Sequence, residues 1–224
     1  MKKFLNQYYF DLLLILLSSV LLLFVIKKMP YAIIGCLLNL VLSIAALYFI
    51  YKKDNSLNKT ISAKEFFSCL LTSLNRTFSL ERSYQIASKY LLSYHELKNY
   101  DDFLNEKSFS YLNEYEPYYI ELIEKEVKNE LHLSNYYFLT KKIDKEVNST
   151  KRYNTFLNKL TYIFISFINI IFFILVFLRF TVFTNTTYNS NIIFNFIPLV
   201  FSLIIPLIYL SKYYLKGEKL WFQS

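Results

Sequence analysis

Four long apolar runs, two near each end of the chain, constrain this sequence more than any other feature. Each run carries at most one charged residue, and together they cover residues 8–26, 31–51, 162–183 and 192–210. At roughly 20 residues apiece, the runs match the length at which an α-helix crosses about 30 Å of hydrocarbon. None of them alternates apolar with polar residues as a strand does, so we interpret all four as transmembrane helices.

A long polar stretch between the second and third runs sets the organisation of the chain. We predict an all-α integral membrane protein with a transmembrane hairpin at residues 1–51, a cytoplasmic helical domain at 52–159, and a second hairpin with a short tail at 160–224. The first run is expected to stay in place as a signal anchor, because Lys27–Pro30 contains no small-residue cleavage site.

The first half of the polar stretch has the pattern of a helical hairpin. Ser62 and Glu65 match a capping box, which predicts a helix start. Asn75–Phe78 interrupts the apolar periodicity, and Ser79 is then in place to cap a second helix. The predicted apolar faces are Phe66, Phe67, Leu70, Leu71 and Leu74 on the first helix, and Leu80, Tyr84, Ala87, Leu91 and Tyr94 on the second.

The second half of the stretch predicts three more helices. The pattern breaks at Asn99–Asp102, and a weaker third helix is predicted over residues 103–115. Pro117 suits the beginning of a fourth helix, and Ser134 is a candidate cap for a last helix that runs through Lys159 into the third apolar run. The predicted apolar face of the fourth helix is Ile120, Ile123, Val127 and Leu131.

The net charge of +8 is concentrated beside the apolar runs, which argues against nucleic-acid binding. Residues 52–159 hold 17 basic and 15 acidic side chains, so most of the excess flanks the predicted spans. By the positive-inside rule, both termini and the central domain are predicted to be cytoplasmic. The basic residues on that side are Lys2, Lys3, Lys52, Lys53, Lys212 and Lys216, whereas Lys27 and Lys28 oppose the assignment.

No pattern of residues indicates catalysis, a metal site or a cofactor. The chain has two glycines, too few for a phosphate-binding loop, and its two cysteines and two histidines are far apart. We therefore expect neither an enzyme nor a cofactor-binding protein. The isolated residues are Cys36, Cys69, His95 and His132.

A few polar side chains fall inside the apolar runs. We predict that Arg179 snorkels to the outer interface and Asp11 to the inner one; the alternative is a functional role, since ionisable groups in a membrane are costly. Asn39 and Asn169 are candidates for hydrogen bonds between helices. So few polar groups offer a poor lining for a water-filled path, which argues against a channel or transporter.

Charge is polarised along the central domain. Residues 101–130 hold nine acids and three lysines, whereas residues 141–159 hold six bases and two acids. Two interpretations stay open. The two segments pair with each other as solvated helix faces, or they form a docking surface for a charged cytoplasmic partner.

Two spans, a helical domain and two further spans form a layout that resembles the F-type inner-membrane platform proteins of type II secretion and type IV pilus machines. The layout is most similar to the short, single-domain version in Tad pilus systems. Phe66–Leu74 and Ser79–Ser88 resemble the first helical hairpin of that family, and Lys151–Leu160 resembles its approach to the third span. Asn75–Phe78 stands where the family usually has a glycine-containing turn.

The resemblance implies a scaffold in the bacterial cytoplasmic membrane. Its implied partners are a hexameric cytoplasmic secretion ATPase, pilin-like subunits, the lipid bilayer, and a second four-span platform protein or another copy of itself. The implied ATPase-facing residues are Glu121, Glu124, Lys141 and Lys142. The alternatives are a small membrane transport subunit and a membrane-anchored adaptor unrelated to secretion.

Overall fold

A computed structural model of the chain describes residues 2–26, 29–91, 99–105, 109–127, 136–181 and 192–216. All regular elements in these ranges are helical, which confirms the all-α prediction for this part of the chain. The α-helices are α1 (Lys2–Gln7), α2 (Tyr9–Val25), α3 (Met29–Thr77), α4 (Leu80–Ala87), α5 (Tyr100–Asn105), α6 (Glu116–Val127), α7 (Tyr136–Thr181) and α8 (Ile192–Leu215), with short 3-10 segments at Ser88–Leu91 and Ser110–Tyr115.

The chain divides into two compact units. Residues 1–53 and 153–224 form the first, which we call the apolar unit, and residues 54–152 form the second, which we call the polar unit. Helices α3 and α7 contribute residues to both units.

Three helices are long and apolar enough to cross a membrane, which supports the prediction of a membrane protein. These segments are Pro30–Thr77, Tyr136–Thr181 and Phe196–Leu215. Helix α2 is also apolar, but at 17 residues it is the shortest of the four. At a rise of about 1.5 Å per residue it is roughly 25 Å long, just under the usual hydrocarbon thickness.

Helices α2 and α3 of the apolar unit run antiparallel. Tyr8 packs on Tyr51 with ring centroids 6.3 Å apart, and Asn39 donates to Ser18 at 3.0 Å. The residue that is later in the first segment, Ser18, therefore pairs with the residue that is earlier in α3. Gly35 packs tightly against α2, since a Cβ there would stand 3.1 Å from a Leu22 methyl group.

Helix α7 runs parallel to α2. Three hydrogen bonds join the two helices in the same order along both: Tyr162 to Asp11, Asn169 to Leu14, and Arg179 to Phe24. Because the sequence separation stays between 151 and 155, the helices keep one direction and nearly one register.

Helix α8 is likewise parallel to α3. A Cβ on Gly35 would stand 3.6 Å from Leu199, and Phe49 packs on Tyr213 with ring centroids 6.2 Å apart. Lys53 donates to the Tyr213 carbonyl at 2.7 Å, at the C-terminal end of α8. The four helices therefore alternate in direction in chain order: α2, α3, α7 and α8.

Aromatic and aliphatic side chains build the core of the polar unit. Phe66 contacts Tyr84 and Phe103 with ring centroids 6.3 and 6.1 Å apart, and Phe67 contacts Tyr119 at 5.9 Å. The two predicted apolar faces of the helical hairpin are buried here as expected, apart from Tyr94, which lies outside the described residues.

The predicted helix start at Ser62 is wrong. Ser62 lies in the middle of α3, which runs without a break from Met29. Glu65 does not reach back to a helix terminus; its carboxylate accepts a hydrogen bond from Lys151 of α7. The predicted cap at Ser79 is confirmed, because its hydroxyl accepts from the Arg82 amide at 3.4 Å at the start of α4.

The third and fourth predicted helices differ from the structure in detail. Helix α5 occupies the predicted break, and within it Tyr100 stacks on Phe103 with ring centroids 5.9 Å apart. The predicted single helix over residues 103–115 is wrong, because α5 ends at Asn105 and Ser110–Tyr115 is a 3-10 segment. Pro117 lies at the start of α6 as predicted. The buried face of α6 holds Tyr119 and Leu122 besides Ile123.

The last predicted helix is confirmed as a continuous element. Helix α7 runs from Tyr136 through Lys159 to Thr181. Its predicted cap, Ser134, and the predicted apolar residue Leu131 lie outside the described residues.

Candidate functional site

The four predicted docking residues lie on α6 and on the first part of α7. On α6, Glu121 bonds Lys125 at 2.5 Å and Glu124 is exposed. On α7, the Lys141 ammonium lies 4.8 Å from the centroid of the Tyr137 ring, and Lys142 has an ion pair described below. All four are solvent-exposed, which suits a docking role without establishing one.

Acidic and basic segments of the polar unit make contact with each other. Lys142 of α7 lies 3.8 Å from Glu114, and both side chains are about half exposed. The interpretation that the polarised segments pair with each other is therefore supported at Lys142 and Glu114, while the exposed remainder is open to a partner.

A more buried ion pair lies next to this surface. Lys64 of α3 bonds Glu146 of α7 at 2.7 Å. The ammonium groups of Lys64 and Lys142 lie 5.2 Å and 5.3 Å from the centroid of the Tyr115 ring. Burial by itself raises the pKa of the Glu146 carboxyl group. Hydrogen bonding with Lys64, Glu114 and Tyr115, together with the charge of Lys64, outweighs burial and holds that pKa below its ordinary value.

In the apolar unit, the charged residue of the first run is buried. Asp11 is 1% exposed, so the prediction that it snorkels to the interface is wrong. Tyr162 of α7 donates to Asp11 Oδ2 at 3.2 Å, and Lys212 of α8 supplies an attractive charge. These contacts replace the water that an exposed carboxylate would bind.

Two tyrosines complete this cluster, which we call the polar knot: Asp11, Tyr162, Tyr209 and Lys212. The Lys212 ammonium lies 5.7 Å from the Tyr162 ring centroid and 6.0 Å from that of Tyr209, within the range of cation–π attraction. The Tyr209 hydroxyl lies near the same carboxyl group but does not form a hydrogen bond with it. Asp11 Oδ1 has no hydrogen-bond partner among the described residues. The knot joins α2 to α7 and α8.

A second polar cluster joins α2 to α3. Asn39 donates from Nδ2 to the hydroxyls of Ser18 and Ser19, both at 3.0 Å, and accepts from Ser43 at 3.3 Å. All four side chains are buried. The prediction that Asn39 bonds between helices is confirmed, and so is that for Asn169, which donates to the Leu14 carbonyl at 3.4 Å.

Arg179 makes a helix-end contact. Its guanidinium donates to the carbonyl of Phe24, in the last turn of α2, and lies 5.7 Å from the Phe180 ring centroid. A cation at the C-terminal end of a helix satisfies an orphan carbonyl and complements the helix dipole. Arg179 therefore caps the C-terminal end of α2 and joins it to α7.

Metal and thiol chemistry find no support in the described ranges. No group of three or more His, Cys, Asp or Glu side chains there could hold a metal ion. Cys36 and Cys69 are free thiols, and both histidines, His95 and His132, lie outside the described residues.

Comparisons with known proteins give no relatives. No family model matches the chain, and neither a curated protein nor a solved structure matches it. Its function is therefore argued from its own residues.

Proposed function

We propose that the protein is a four-span membrane scaffold whose polar unit is a cytoplasmic docking domain. The observation that carries the proposal is the alternating direction of α2, α3, α7 and α8, read from ordered contacts such as Asp11–Tyr162 and Gly35–Leu199. Four helices that alternate in this way fit a chain that crosses a bilayer four times. Helix α2 is short for a span, but bilayers thin locally around short helices at modest cost.

Positive charge supports the cytoplasmic assignment. Lys53 and Lys212 lie at one end of the apolar unit, since Lys53 bonds the last turn of α8 and Lys212 belongs to that turn. Residues 54–152 are inserted in the chain directly after Lys53. By the positive-inside rule that end faces the cytoplasm, together with both termini.

The most specific form of the proposal is a platform protein of a pilus or type II secretion machine in the bacterial cytoplasmic membrane. In that role the polar unit engages a hexameric secretion ATPase, and the spans pass its motion to pilin-like subunits. The layout of the chain and the exposed charges of α6 and α7 support this form. Buried polar groups such as Asn39 and Asn169 bond neighbouring helices, which suits a scaffold better than a water-filled path.

Binding of the ATPase tests the platform role. The full-length protein is embedded in nanodiscs, and its affinity for the purified secretion ATPase of the same host is measured. Reversing charge at Glu121 and Glu124 together is expected to weaken binding about tenfold, because two attractive contacts become repulsive.

A matched variant controls for net charge. Asp101→Lys with Asp102→Lys makes the same change at two exposed positions on α5 and is expected to leave binding unchanged. Equal affinity of the Glu121/Glu124 variant and the parent would overturn the site assignment. A parent protein that does not bind the ATPase at all would overturn the platform role.

One observation favours a second candidate, a small transport subunit. Asp11 is a buried ionisable group with one unbonded oxygen, and intramembrane ionisable groups often serve ion pathways. A transport subunit reconstituted in liposomes would dissipate a proton or sodium gradient, and Asp11→Asn would abolish the flux. A scaffold leaves the gradient intact with or without that substitution.

A further inference from the structure

The turn between α3 and α4 contains a backbone conformation that its residue disfavours. Helix α3 ends at Thr77, and Phe78 follows with φ 52°. The Phe78 amide donates to the Leu74 carbonyl at 3.0 Å, which is the single-bond left-handed helix ending. Glycine is the usual residue at this position, since a Cβ in the left-handed region crowds the following carbonyl oxygen.

Burial of the Phe78 side chain does not offset this cost. The helix ending found here is commonly stabilised by apolar contact between its last residue and the position four before it, which is Leu74. Leu74 is buried, but Phe78 is 74% exposed. The strained aromatic side chain thus contributes little to the fold, and strain of this kind is concentrated at functional sites.

The rest of the turn is well satisfied, so the strain is not a sign of a poorly formed loop. The Thr77 and Ser83 hydroxyls are 2.8 Å apart, and the Ser79 hydroxyl caps α4. These bonds hold the backbone of the turn on both sides of Phe78.

Phe78 has exposed neighbours of the kinds that carry binding energy. Arg76 and Arg82 flank it in the chain and are both exposed. Ile86, one helical turn beyond Arg82, is 45% exposed. Aromatic residues and arginines dominate the energetics of protein interfaces, and an aromatic anchor with a charged border is a common arrangement.

We propose that this turn is a protein-docking surface, with Phe78 as the anchor that enters an apolar pocket of the partner. Carboxylates that border the pocket pair with Arg76 and Arg82. The inference rests on the proposed function, in that the polar unit docks a soluble protein, and adds a second surface to the charged one on α6 and α7.

Site-specific photocrosslinking in the native host tests the surface. The full-length protein carries a benzophenone amino acid at position 78, at 86, or at 58. Asn58 is the control, because it is exposed on α3, about 30 Å along that helix from Phe78, and does not belong to the charged surface of α6 and α7. We expect one discrete protein adduct at 78 and 86 and none at 58. Arg76→Glu with Arg82→Glu should reduce the adduct at 86 about tenfold or more.

The melting temperature distinguishes a docking role of Phe78 from a structural one. Substitution of a residue that stabilises the fold lowers the melting temperature, whereas substitution of a strained docking residue raises it. Phe78→Gly should raise the melting temperature of the purified protein in detergent, because it relieves the backbone strain, and should reduce the adduct at 86 as strongly as the arginine reversals. A lower melting temperature would show that the ring stabilises the fold and would overturn the inference. Adducts at all three positions, at none, or to phospholipid would overturn it as well.

The identity of the adduct separates this inference from the platform role. A specific adduct that contains the secretion ATPase supports both. A specific adduct that contains another protein, sensitive to the arginine reversals, supports the docking surface and counts against the platform role.

Discussion

At the scale of single residues, several buried polar side chains in the apolar unit bond to another helix, as Asn39, Asn169 and Asp11 do. Asn39 is buried and bonds Ser18 and Ser19 at once. In a membrane, interhelical hydrogen bonds contribute about 0.6 kcal/mol on average and up to about 1.7 kcal/mol. Contacts of this kind fix the register of α2 against α3, where apolar side chains alone would allow sliding.

Asn39→Ala is therefore expected to destabilise the protein by about 1–2 kcal/mol, since it leaves two buried hydroxyls without their donor. Thermal unfolding in detergent micelles measures the effect. Val41→Ala is the matched control, because Val41 is on the same helix and is 63% exposed. An equal loss in both variants would contradict a specific role for the Asn39 bonds.

The Lys64–Glu146 pair makes the polar unit sensitive to acid. The pKa of Glu146 is lowered in the folded protein, so its stabilising effect is complete above the ordinary value of 4.5 and is lost as the pH falls through the lowered value. Glu146→Gln should therefore reduce the melting temperature at neutral pH and have progressively less effect as the pH drops below about 4. A difference between parent and variant that stays constant from neutral to acidic pH would contradict this account.

At the scale of elements, helix ends were predictable where the signal is local. Ser79 acts as a cap because its hydroxyl reaches an amide three residues away, and a sequence pattern contains that information. Ser62 has the same local pattern but lies inside α3, where the chain on both sides is helical. The local pattern therefore predicted a helix start at Ser62, but the helix that begins at Met29 continues through this position.

The two serines make a matched pair of substitutions. Ser79→Ala should cost about 1 kcal/mol of unfolding free energy, the usual effect of losing a helix cap, whereas Ser62→Ala should cost little or slightly stabilise α3. Chemical denaturation of the full-length protein, followed by helical circular dichroism, compares them. A larger loss at Ser62 than at Ser79 would indicate that α3 begins where the capping box predicts.

Contacts between distant segments were not predictable. The sequence indicates that Asp11 is a rare charge in an apolar run, but its burial depends on Tyr162 and Lys212, which come from other helices. The sequence predicted a break over residues 75–78, but α3 stays helical through Thr77, and the left-handed backbone angle of Phe78 was missed. Asn39 and Asn169 were the exceptions, because an amide inside an apolar run has few alternatives to a neighbouring helix.

At the scale of the whole molecule, the central claim is that α2 is a span equal in role to the other three. Helix α2 contacts α3 through Asn39 and α7 through Asp11, so it lies among the helices that can cross the membrane. If it crosses, an even number of spans separates the N-terminus from the polar unit, and both lie on one side. If it does not, they lie on opposite sides.

Labelling of single cysteines in intact cells tests this claim most directly. In a background of Cys36→Ala and Cys69→Ala, one cysteine is placed at Asn6, Ser56 or Thr181, all exposed positions, and reacted with a membrane-impermeant maleimide. We predict that Asn6→Cys and Ser56→Cys react only after the cells are permeabilised, whereas Thr181→Cys reacts in intact cells. Reaction of Asn6→Cys in intact cells, with Ser56→Cys still protected, would contradict the four-span account.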